Sequence, residues 1–307
     1  MASIQIWNRC NNKCIMCANP LWFSKEPESL YSYQEIVSRV RKLNNAGPVG
    51  DLQISGGEPT IHPDFLQIMR FIRTELSSAK LYLLSNGRMF TYEDFTGQVM
   101  ALSDLVVEIP VLGHTARLHD SVTGISGSFE QTVSGIRNIL RIKGEGRELE
   151  LRVILVKQNY KYLGKIVEFI HAEFKTIDTL VMIFPEPEGR CWANFKGTGI
   201  TYSQVRKDVL SVMRKWKSAY RDLRLYHFPL CTIDHRFWPF CWVTQDPGET
   251  AYIRGCKKCR FRKYCPGIHK NYLEVAGSRE FKACEDDITI KLNEGPGMKY
   301  HPITGVA

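Results

Sequence analysis

The chain has 307 residues, which is long enough to bury the core of one large domain or of two. A hydrophobic share of 44% and a charged share of 24% are typical of a globular protein and exclude a disordered chain. The N-terminal residues lack a signal-peptide pattern and no apolar run approaches ~18 residues, so we expect a cytoplasmic protein without a membrane partner. Ten cysteines in such a chain indicate metal binding rather than disulfide bonds.

The net charge of +9 favours an anionic partner, such as an acidic peptide, a phosphorylated metabolite or nucleic acid. The alternative is that the excess lysines only keep the surface solvated.

Short apolar runs alternate with amphipathic helical patterns over the first ~185 residues. The runs predict strands at residues 3–8, 51–55, 80–85, 105–111, 150–156 and 179–184. The patterns predict helices over residues 32–44, 64–76, 129–142 and 163–174. Six strands that alternate with helices imply an α/β fold with a parallel sheet, in which chemistry falls at the carboxyl ends of the strands.

The rest of the chain divides into three parts. An apolar stripe predicts a linker helix within residues 201–224, after a core domain over residues 1–200. Residues 225–290 are rich in cysteine and in loop residues, which predicts a small second module. Residues 291–307 carry glycine and proline without periodicity, so we expect a flexible tail.

Three cysteines, Cys10, Cys14 and Cys17, follow the first predicted strand with the spacing C-x3-C-x2-C. A [4Fe–4S] cluster normally takes four cysteines, so three thiolates leave one iron open for a substrate or cofactor. A second motif, Ser55-Gly56-Gly57-Glu58-Pro59, ends the second predicted strand. The cysteines by themselves leave a zinc site or unrelated thiols open as alternatives.

Together these two motifs resemble the radical S-adenosylmethionine (radical SAM) superfamily. The resemblance implies a TIM-like partial (βα)6 barrel in place of a closed eightfold one. It also implies that the open iron chelates the amino and carboxylate groups of SAM, and that the turn Gly56-Gly57-Glu58 contacts the SAM amino group. Met16 stands where the family usually has an aromatic residue near adenine, and it is the expected cofactor contact there.

Four further positions are candidates from their place in this fold. Ser85 and Asn86 follow the third strand and are expected to contact SAM or substrate. Arg152, on the fifth strand, stands where family members meet the SAM carboxylate or ribose, and an ion pair with a neighbouring acid is the alternative. Cys191 follows the sixth strand. A likeness to radical SAM epimerases makes it a candidate catalytic hydrogen donor, whereas a small buried residue is the alternative.

A second cysteine group, Cys256-x2-Cys259-x5-Cys265, is similar to the SPASM/Twitch extensions of radical SAM enzymes. That pattern expects a cysteine four residues further on, where this chain has His269. We therefore predict one auxiliary [4Fe–4S] cluster in preference to two, with Cys231 or Cys284 as its fourth ligand. A zinc ribbon is the alternative. The nearby basic residues either offset the negative charge of a cluster or bind phosphates.

The predicted activity is reductive cleavage of SAM to a 5′-deoxyadenosyl radical, which abstracts a substrate hydrogen, with oxidation completed through the auxiliary cluster. The favoured substrate is a ribosomally made peptide, because short segments are similar to peptide maturases. One alternative is a radical SAM dehydrogenase, epimerase or decarboxylase of a sugar, nucleoside or other metabolite. Another is a non-catalytic iron–sulfur or zinc protein that binds nucleic acid. An electron donor such as flavodoxin or ferredoxin is the expected protein partner.

Overall fold

The computed structural model describes residues 1–306, apart from the side chain of Pro296. The chain divides into two compact units. The first contains Met1–Cys14, Asn19–Arg152 and Phe169–Asp178, and the second contains Ile15–Ala18, Val153–Glu168 and the chain from Thr179 onwards. None of the helices in these residues is both long and apolar enough to cross a membrane.

Within each unit the strands follow one another in chain order, so each strand lies beside its neighbours in the sequence. In the first unit, β1 to β5 pair in parallel. In the second unit, β6 to β8 also pair in parallel. The bounds are β1 Ala2–Trp7, β2 Asp51–Gly56, β3 Lys80–Leu84, β4 Leu105–Pro110, β5 Arg147–Ile154, β6 Thr179–Ile183, β7 Leu223–Tyr226 and β8 Cys241–Trp242.

Helices separate most of these strands, as parallel pairing requires. Their bounds are α1 Tyr33–Asn45, α2 Phe65–Glu75, α3 Glu93–Met100, α4 Ala116–Thr123, α5 Ser128–Ile142, α6 Leu163–Glu173, α7 Gly189–Ala193, α8 Phe195–Thr198, α9 Tyr202–Trp216 and α10 Lys270–Ala276. Two small antiparallel pairs complete the second unit: β9 Thr250–Ala251 with β10 Ile268–His269, and β11 Ile290–Leu292 with β12 Ile303–Val306.

The strands of the first unit have one apolar and one polar face. On β4, for example, Val107 and Ile109 are fully buried, whereas Glu108 points to the other side of the strand. On β5, Leu149 and Leu151 are fully buried and alternate with Glu150 and Arg152. The apolar faces pack in the core, so the polar face of the sheet is left to carry binding groups.

The six predicted strands and five predicted helices are confirmed to within a few residues at each end. Two short strands, β7 and β8, extend the sheet beyond the six predicted. The helix predicted as a linker is α9, and it belongs to the second unit, where it leads directly to β7. A four-residue and a two-residue strand are too short to show a periodic pattern.

The end of the chain differs from the predicted flexible tail. Strands β11 and β12 pair, and Ile303 is only 1% exposed. The Val243 N–H donates to the carbonyl oxygen of Tyr300 at 2.7 Å, which ties this hairpin to the residues after β8. Backbone pairing and one buried side chain therefore order a segment that has little hydrophobic periodicity.

Replacing Ile303 with alanine should open this hairpin, because loss of a buried isoleucine side chain costs ~2–5 kcal/mol. The lost packing belongs to the hairpin itself, so the cost should appear as local opening. Trypsin cleavage after Lys291 and Lys299 should become at least about tenfold faster than in the wild type. Thr304→Ala, at an exposed position of the same strand, is the control. Equal cleavage of the two variants would contradict a folded hairpin.

Candidate active site and auxiliary cysteine pocket

The loop after β1 carries the first cysteine motif. Cys10 is exposed, and Cys14 is partly buried. The backbone N–H of Asn12 donates to Cys10 Sγ at 3.3 Å, which helps to fix the start of the cysteine loop. Cys17 is partly buried and belongs to the second unit, where the Arg190 N–H donates to its carbonyl oxygen at 2.9 Å.

The residues after β3 hold this loop in place. Asn86 Nδ2 donates to Asn11 Oδ1 at 2.6 Å. The guanidinium of Arg88 donates to the Asn11 carbonyl oxygen at 2.5 Å and to Asn12 Oδ1 at 2.9 Å. Further along the loop, the Lys13 N–H donates to the Thr123 carbonyl oxygen at 2.8 Å. The cysteine loop is therefore fixed by hydrogen bonds to the residues between Cys10 and Cys14.

The two glycines of the second motif pack against the end of β1. A Cβ atom at Gly56 would lie 2.2 Å from the carbonyl oxygen of Trp7, and Gly56 has a φ of +147° that other residues rarely adopt. A Cβ atom at Gly57 would lie 2.2 Å from the carbonyl oxygen of Arg9. The Gly57 N–H donates to the Trp7 carbonyl oxygen at 2.7 Å. Only glycine permits this approach, which brings the turn next to the cysteine loop.

The carboxylate of Glu58 lies at the centre of a buried hydrogen-bond network. Its Oε1 accepts from Ser85 Oγ at 2.8 Å and from the Thr60 N–H at 3.1 Å, and its Oε2 accepts from the Asn86 N–H at 2.6 Å. Burial raises the pKa of the Glu58 carboxyl, and hydrogen bonds from Asn86, Thr60 and Ser85 oppose that rise. Glu58 therefore joins the ends of β2 and β3.

Arg152 forms ion pairs with two buried carboxylates on the polar face of the first unit. Its Nε donates to Glu150 Oε1 at 2.6 Å, and its Nη2 contacts Glu108 Oε1. Gln53 Nε2 donates to Glu108 Oε2 at 3.4 Å. The ion pair that was the alternative for Arg152 is thus present, and its contact with SAM stays a prediction.

Two predicted site residues of the second unit are buried. Met16 is 8% exposed. Cys191 lies in α7 and is fully buried, and this burial raises the pKa of its thiol while a hydrogen bond with Thr198 opposes the rise. Full burial favours the alternative of a small core residue at Cys191, and the hydrogen-donor role stays a prediction.

Carboxylates and imidazoles meet near the ends of the strands in the second unit. Glu186 Oε1 lies 3.5 Å from His227 Nε2 and accepts from Gln245 Nε2 at 3.3 Å. Glu188 Oε1 lies 3.2 Å from His269 Nε2. Burial by itself would lower the pKa of His269. The carboxylates of Glu188, Glu186 and Glu249 have the larger effect, so the pKa of His269 is raised. No sequence pattern joins these residues, because they follow different strands.

The second cysteine group opens onto one pocket of the second unit, and the pocket is lined by five thiols. They are Cys231, Cys256, Cys259, Cys265 and Cys284. Both candidates for the fourth ligand are therefore brought together with the C-x2-C-x5-C residues. In contrast, Cys241 is buried, its Sγ donates to the Phe237 carbonyl oxygen at 3.8 Å, and it is not among the residues that line the pocket.

The pocket disfavours a set of bare thiolates. Burial raises the pKa of Cys265 to about 12, and neighbouring thiols raise it further while backbone N–H groups lower it. Burial and the thiols of Cys256 and Cys259 likewise raise the pKa of Cys231. Several thiolates can share such a space only when cations neutralise them, and the irons of a cluster supply that charge. In the described part of the chain, no three His, Cys, Asp or Glu side chains converge closely enough to hold a single metal ion.

Comparison with known proteins identifies the family. The model of the radical SAM superfamily matches residues 4–170, which is more than half of the chain. The chain therefore belongs to the radical SAM superfamily, whose members bind a [4Fe–4S] cluster and SAM. The three cysteines and the glycine turn against them fit that pair of cofactors, because the donor set leaves one iron open and the turn allows close backbone approach.

Several relatives are similar in sequence. The mycofactocin maturase MftC of Mycobacterium tuberculosis is 27% identical over 62% of this chain and 46% of its own length. The probable GTP 3′,8-cyclase of Sulfurisphaera tokodaii is 27% identical over 59% of this chain and 54% of its own length. The antilisterial bacteriocin subtilosin biosynthesis protein AlbA of Bacillus subtilis is 28% identical over 91% of this chain and 68% of its own length. The chain thus spans about half the length of the first two.

A solved structure shows the same fold. Streptococcus suis SuiB bound to its precursor peptide SuiA has a TM-score of 0.57 and 15% identity, over 72% of this chain and 48% of SuiB. This likeness agrees with an α/β fold of the partial-barrel type.

Replacing Gly57 with alanine should prevent the turn from packing, because the added methyl group would overlap the Arg9 carbonyl oxygen. We expect a loss of more than about 3 kcal/mol of stability or failure to fold, measured by thermal and urea denaturation. Gly97→Ala, in helix α3 with open space around its Cβ, should be neutral or stabilising by ~0.5–1 kcal/mol. Similar losses in both variants would refute the close approach.

Replacing Cys256 and Cys259 with alanine should remove about four irons per chain from anaerobically purified protein if the pocket holds a [4Fe–4S] cluster. Elemental analysis for iron and zinc measures the loss. Cys241→Ala is the matched control, because that thiol is outside the pocket lining, and it should keep the iron. Lost zinc with unchanged iron would show a zinc site in place of the cluster.

Proposed function

We propose that this protein is a radical SAM maturase that oxidatively modifies a ribosomally synthesised peptide. The observation that carries the proposal is the pocket of five cysteines in the same chain as the radical SAM motif. A second cluster gives a substrate radical an acceptor for one electron, so that hydrogen abstraction ends in net oxidation. AlbA, which is similar to this chain over 91% of its length, is named for bacteriocin biosynthesis. SuiB, whose fold is similar, was solved bound to a precursor peptide.

In this proposal Cys10, Cys14 and Cys17 would hold the first cluster, and the turn Gly56-Gly57-Glu58 would contact SAM. When bound, this pair supplies an electron and a radical that abstracts hydrogen from the substrate. The protein supplies binding, orientation and exclusion of water.

The role of Glu58 in this scheme is to fix backbone geometry. Its carboxylate already accepts from Thr60, Ser85 and Asn86, so its part would be to hold the turn in the position in which it meets SAM. Ser85 and Asn86 then act mainly through the position of the loop, and Met16 packs near adenine as an apolar contact.

In the same scheme Arg152 is held in place by the carboxylates of two neighbouring residues. The ion pairs with Glu108 and Glu150 hold the guanidinium on the polar face of the sheet. Because these two carboxylates already neutralise the guanidinium, the ribose hydroxyl groups suit this position better than the SAM carboxylate does.

The auxiliary cluster of this proposal is held by Cys256, Cys259 and Cys265, with Cys231 or Cys284 as the fourth ligand. Its module spans residues 225–290. The first cluster needs a low-potential electron, so we place the protein in a reducing cytoplasm with flavodoxin or ferredoxin as donor.

A second candidate is a radical SAM enzyme that acts on a small metabolite, such as a nucleoside. The similarity to a probable GTP 3′,8-cyclase favours it. The two candidates differ in whether a peptide gains a new bond.

The test is co-expression with a peptide encoded beside this gene, followed by mass spectrometry of that peptide. We expect a loss of two hydrogens per modification event, because net oxidation forms one new bond. The control is the triple variant Cys10→Ala, Cys14→Ala, Cys17→Ala, which should leave the peptide unchanged. If no such peptide changes mass while the reconstituted protein forms 5′-deoxyadenosine with nucleosides, the metabolite is the substrate.

A further inference from the structure

The segment that supplies most ligands to the cysteine pocket also carries a dense positive charge. Residues 254–263 hold six cationic side chains and no acidic one. These six residues define the basic rim: Arg254, Lys257, Lys258, Arg260, Arg262 and Lys263. All six are exposed.

The basic rim adjoins the cysteines of the pocket. Lys257 and Lys258 stand between Cys256 and Cys259 in the sequence, on the short 3-10 helix Arg254–Lys258. Arg262 and Lys282 line the pocket itself. Anything that binds to the rim therefore comes close to the thiols that would hold the auxiliary cluster.

Compensation of cluster charge explains only part of this arrangement. Arg262 and Lys282 line the pocket and can offset a negative cluster directly. The exposed side chains of Arg254, Lys257 and Lys258 point into solvent, where water and salt screen them from a buried charge. Their clustering is suited to a partner that approaches from solution.

Two side chains of the rim make contacts with neighbouring residues, and an acidic run borders the rim. The Arg262 guanidinium lies 4.9 Å from the ring centroid of Tyr252, and Arg260 pairs with Asp287 at 2.9 Å. Asp287 belongs to an acidic run, Glu285-Asp286-Asp287, directly after Cys284. The acidic run thus meets the basic rim at Arg260, and this boundary between positive and negative charge would orient a partner that has a complementary pattern.

We propose that the basic rim is the docking surface for an acidic one-electron carrier protein that exchanges electrons with the auxiliary cluster. This inference rests on the auxiliary cluster of the proposed function. In each exchange one electron would pass from the reduced cluster to the oxidised carrier, which would leave the cluster oxidised by one electron and the carrier reduced by one. A flavodoxin would take one proton from solvent as its neutral flavin semiquinone forms, and an iron–sulfur carrier would take none.

Electron transfer explains why the charges and the ligands occupy the same segment. Transfer rates fall steeply with distance, so a carrier has to dock directly over the cluster. Contacts of this kind are small and short-lived, and charge complementarity is what speeds them. A peptide substrate has to reach the SAM site as well, whereas a carrier needs only the outer surface over the auxiliary cluster.

The test compares charge reversal at the rim with a matched reversal elsewhere in the same unit. The rim variant is Lys257→Glu with Lys258→Glu, and the control is Arg206→Glu with Lys207→Glu on helix α9, where both residues are exposed. The probe is a recombinant acidic flavodoxin. Iron content and visible absorbance of each reconstituted protein are measured first, to confirm that the clusters are retained.

We expect the rim variant to bind oxidised flavodoxin at least about tenfold more weakly at low salt, and to reduce it more slowly by a similar factor in stopped-flow experiments. The control should match the wild type. Rising salt should weaken wild-type binding steeply and the rim variant only slightly. Oxidation by an uncharged quinone should be equal in all three proteins, because it needs no docking.

Equal flavodoxin binding by the rim variant and the wild type would overturn the proposal, as would equal weakening in the control. Competition for flavodoxin by an acidic substrate peptide or by random-sequence DNA, each lost in the rim variant, would reassign the surface to that ligand. Failure of the proposed function is a separate outcome. It would appear as absence of auxiliary iron from the wild type, whereas failure of this inference would appear with the cluster present.

Discussion

The close packing of two glycines against the end of β1 is the constraint on which the first half of the site depends. Gly56 and Gly57 approach the carbonyl oxygens of Trp7 and Arg9 more closely than any residue with a Cβ atom could. The β1–β2 pairing thereby continues past the strand ends to the edge of the cysteine loop. In this chain the glycines of the motif are required by the close packing of the turn against the backbone at the end of β1.

The buried carboxylate of Glu58 extends the same constraint to the third strand. A buried carboxylate is costly unless it is hydrogen-bonded, and here Thr60, Ser85 and Asn86 all donate to it. The side chain of Asn86 then reaches Asn11 in the cysteine loop. Three strand ends are thus connected by one polar network, and this connection places the cysteines relative to the turn. Arg88, which also holds the loop, was not a predicted site residue, because an arginine after a strand has no distinctive spacing.

The second half of the molecule depends on thiols that are distant in sequence. Cys231 and Cys284 lie on either side of the C-x2-C-x5-C group, and folding brings all five into one pocket. The electrostatic cost of gathering thiolates in a buried space is what a metal cluster offsets. The positive rim of this pocket contrasts with the carboxylates Glu186 and Glu188 elsewhere in the same unit. The net charge of +9 is thus an average over regions of opposite sign, and a single anionic partner does not follow from it.

The sequence by itself determined the fold class and the family, and it predicted the principal cysteine ligands. Alternation of apolar residues identifies strands and helices because each element buries one face, and the cysteine and glycine motifs are local, so their spacing is visible in the chain. The tertiary structure decided what depends on distant residues: the hydrogen bonds of Glu58, the ion pairs of Arg152, the burial of Cys191 and the fifth thiol of the pocket. It also decided the order of the last residues, where β12 pairs with β11 and buries Ile303. Hydrophobic periodicity shows only which face of a segment is buried in the core. These other features arise from contacts between segments that are far apart in the sequence.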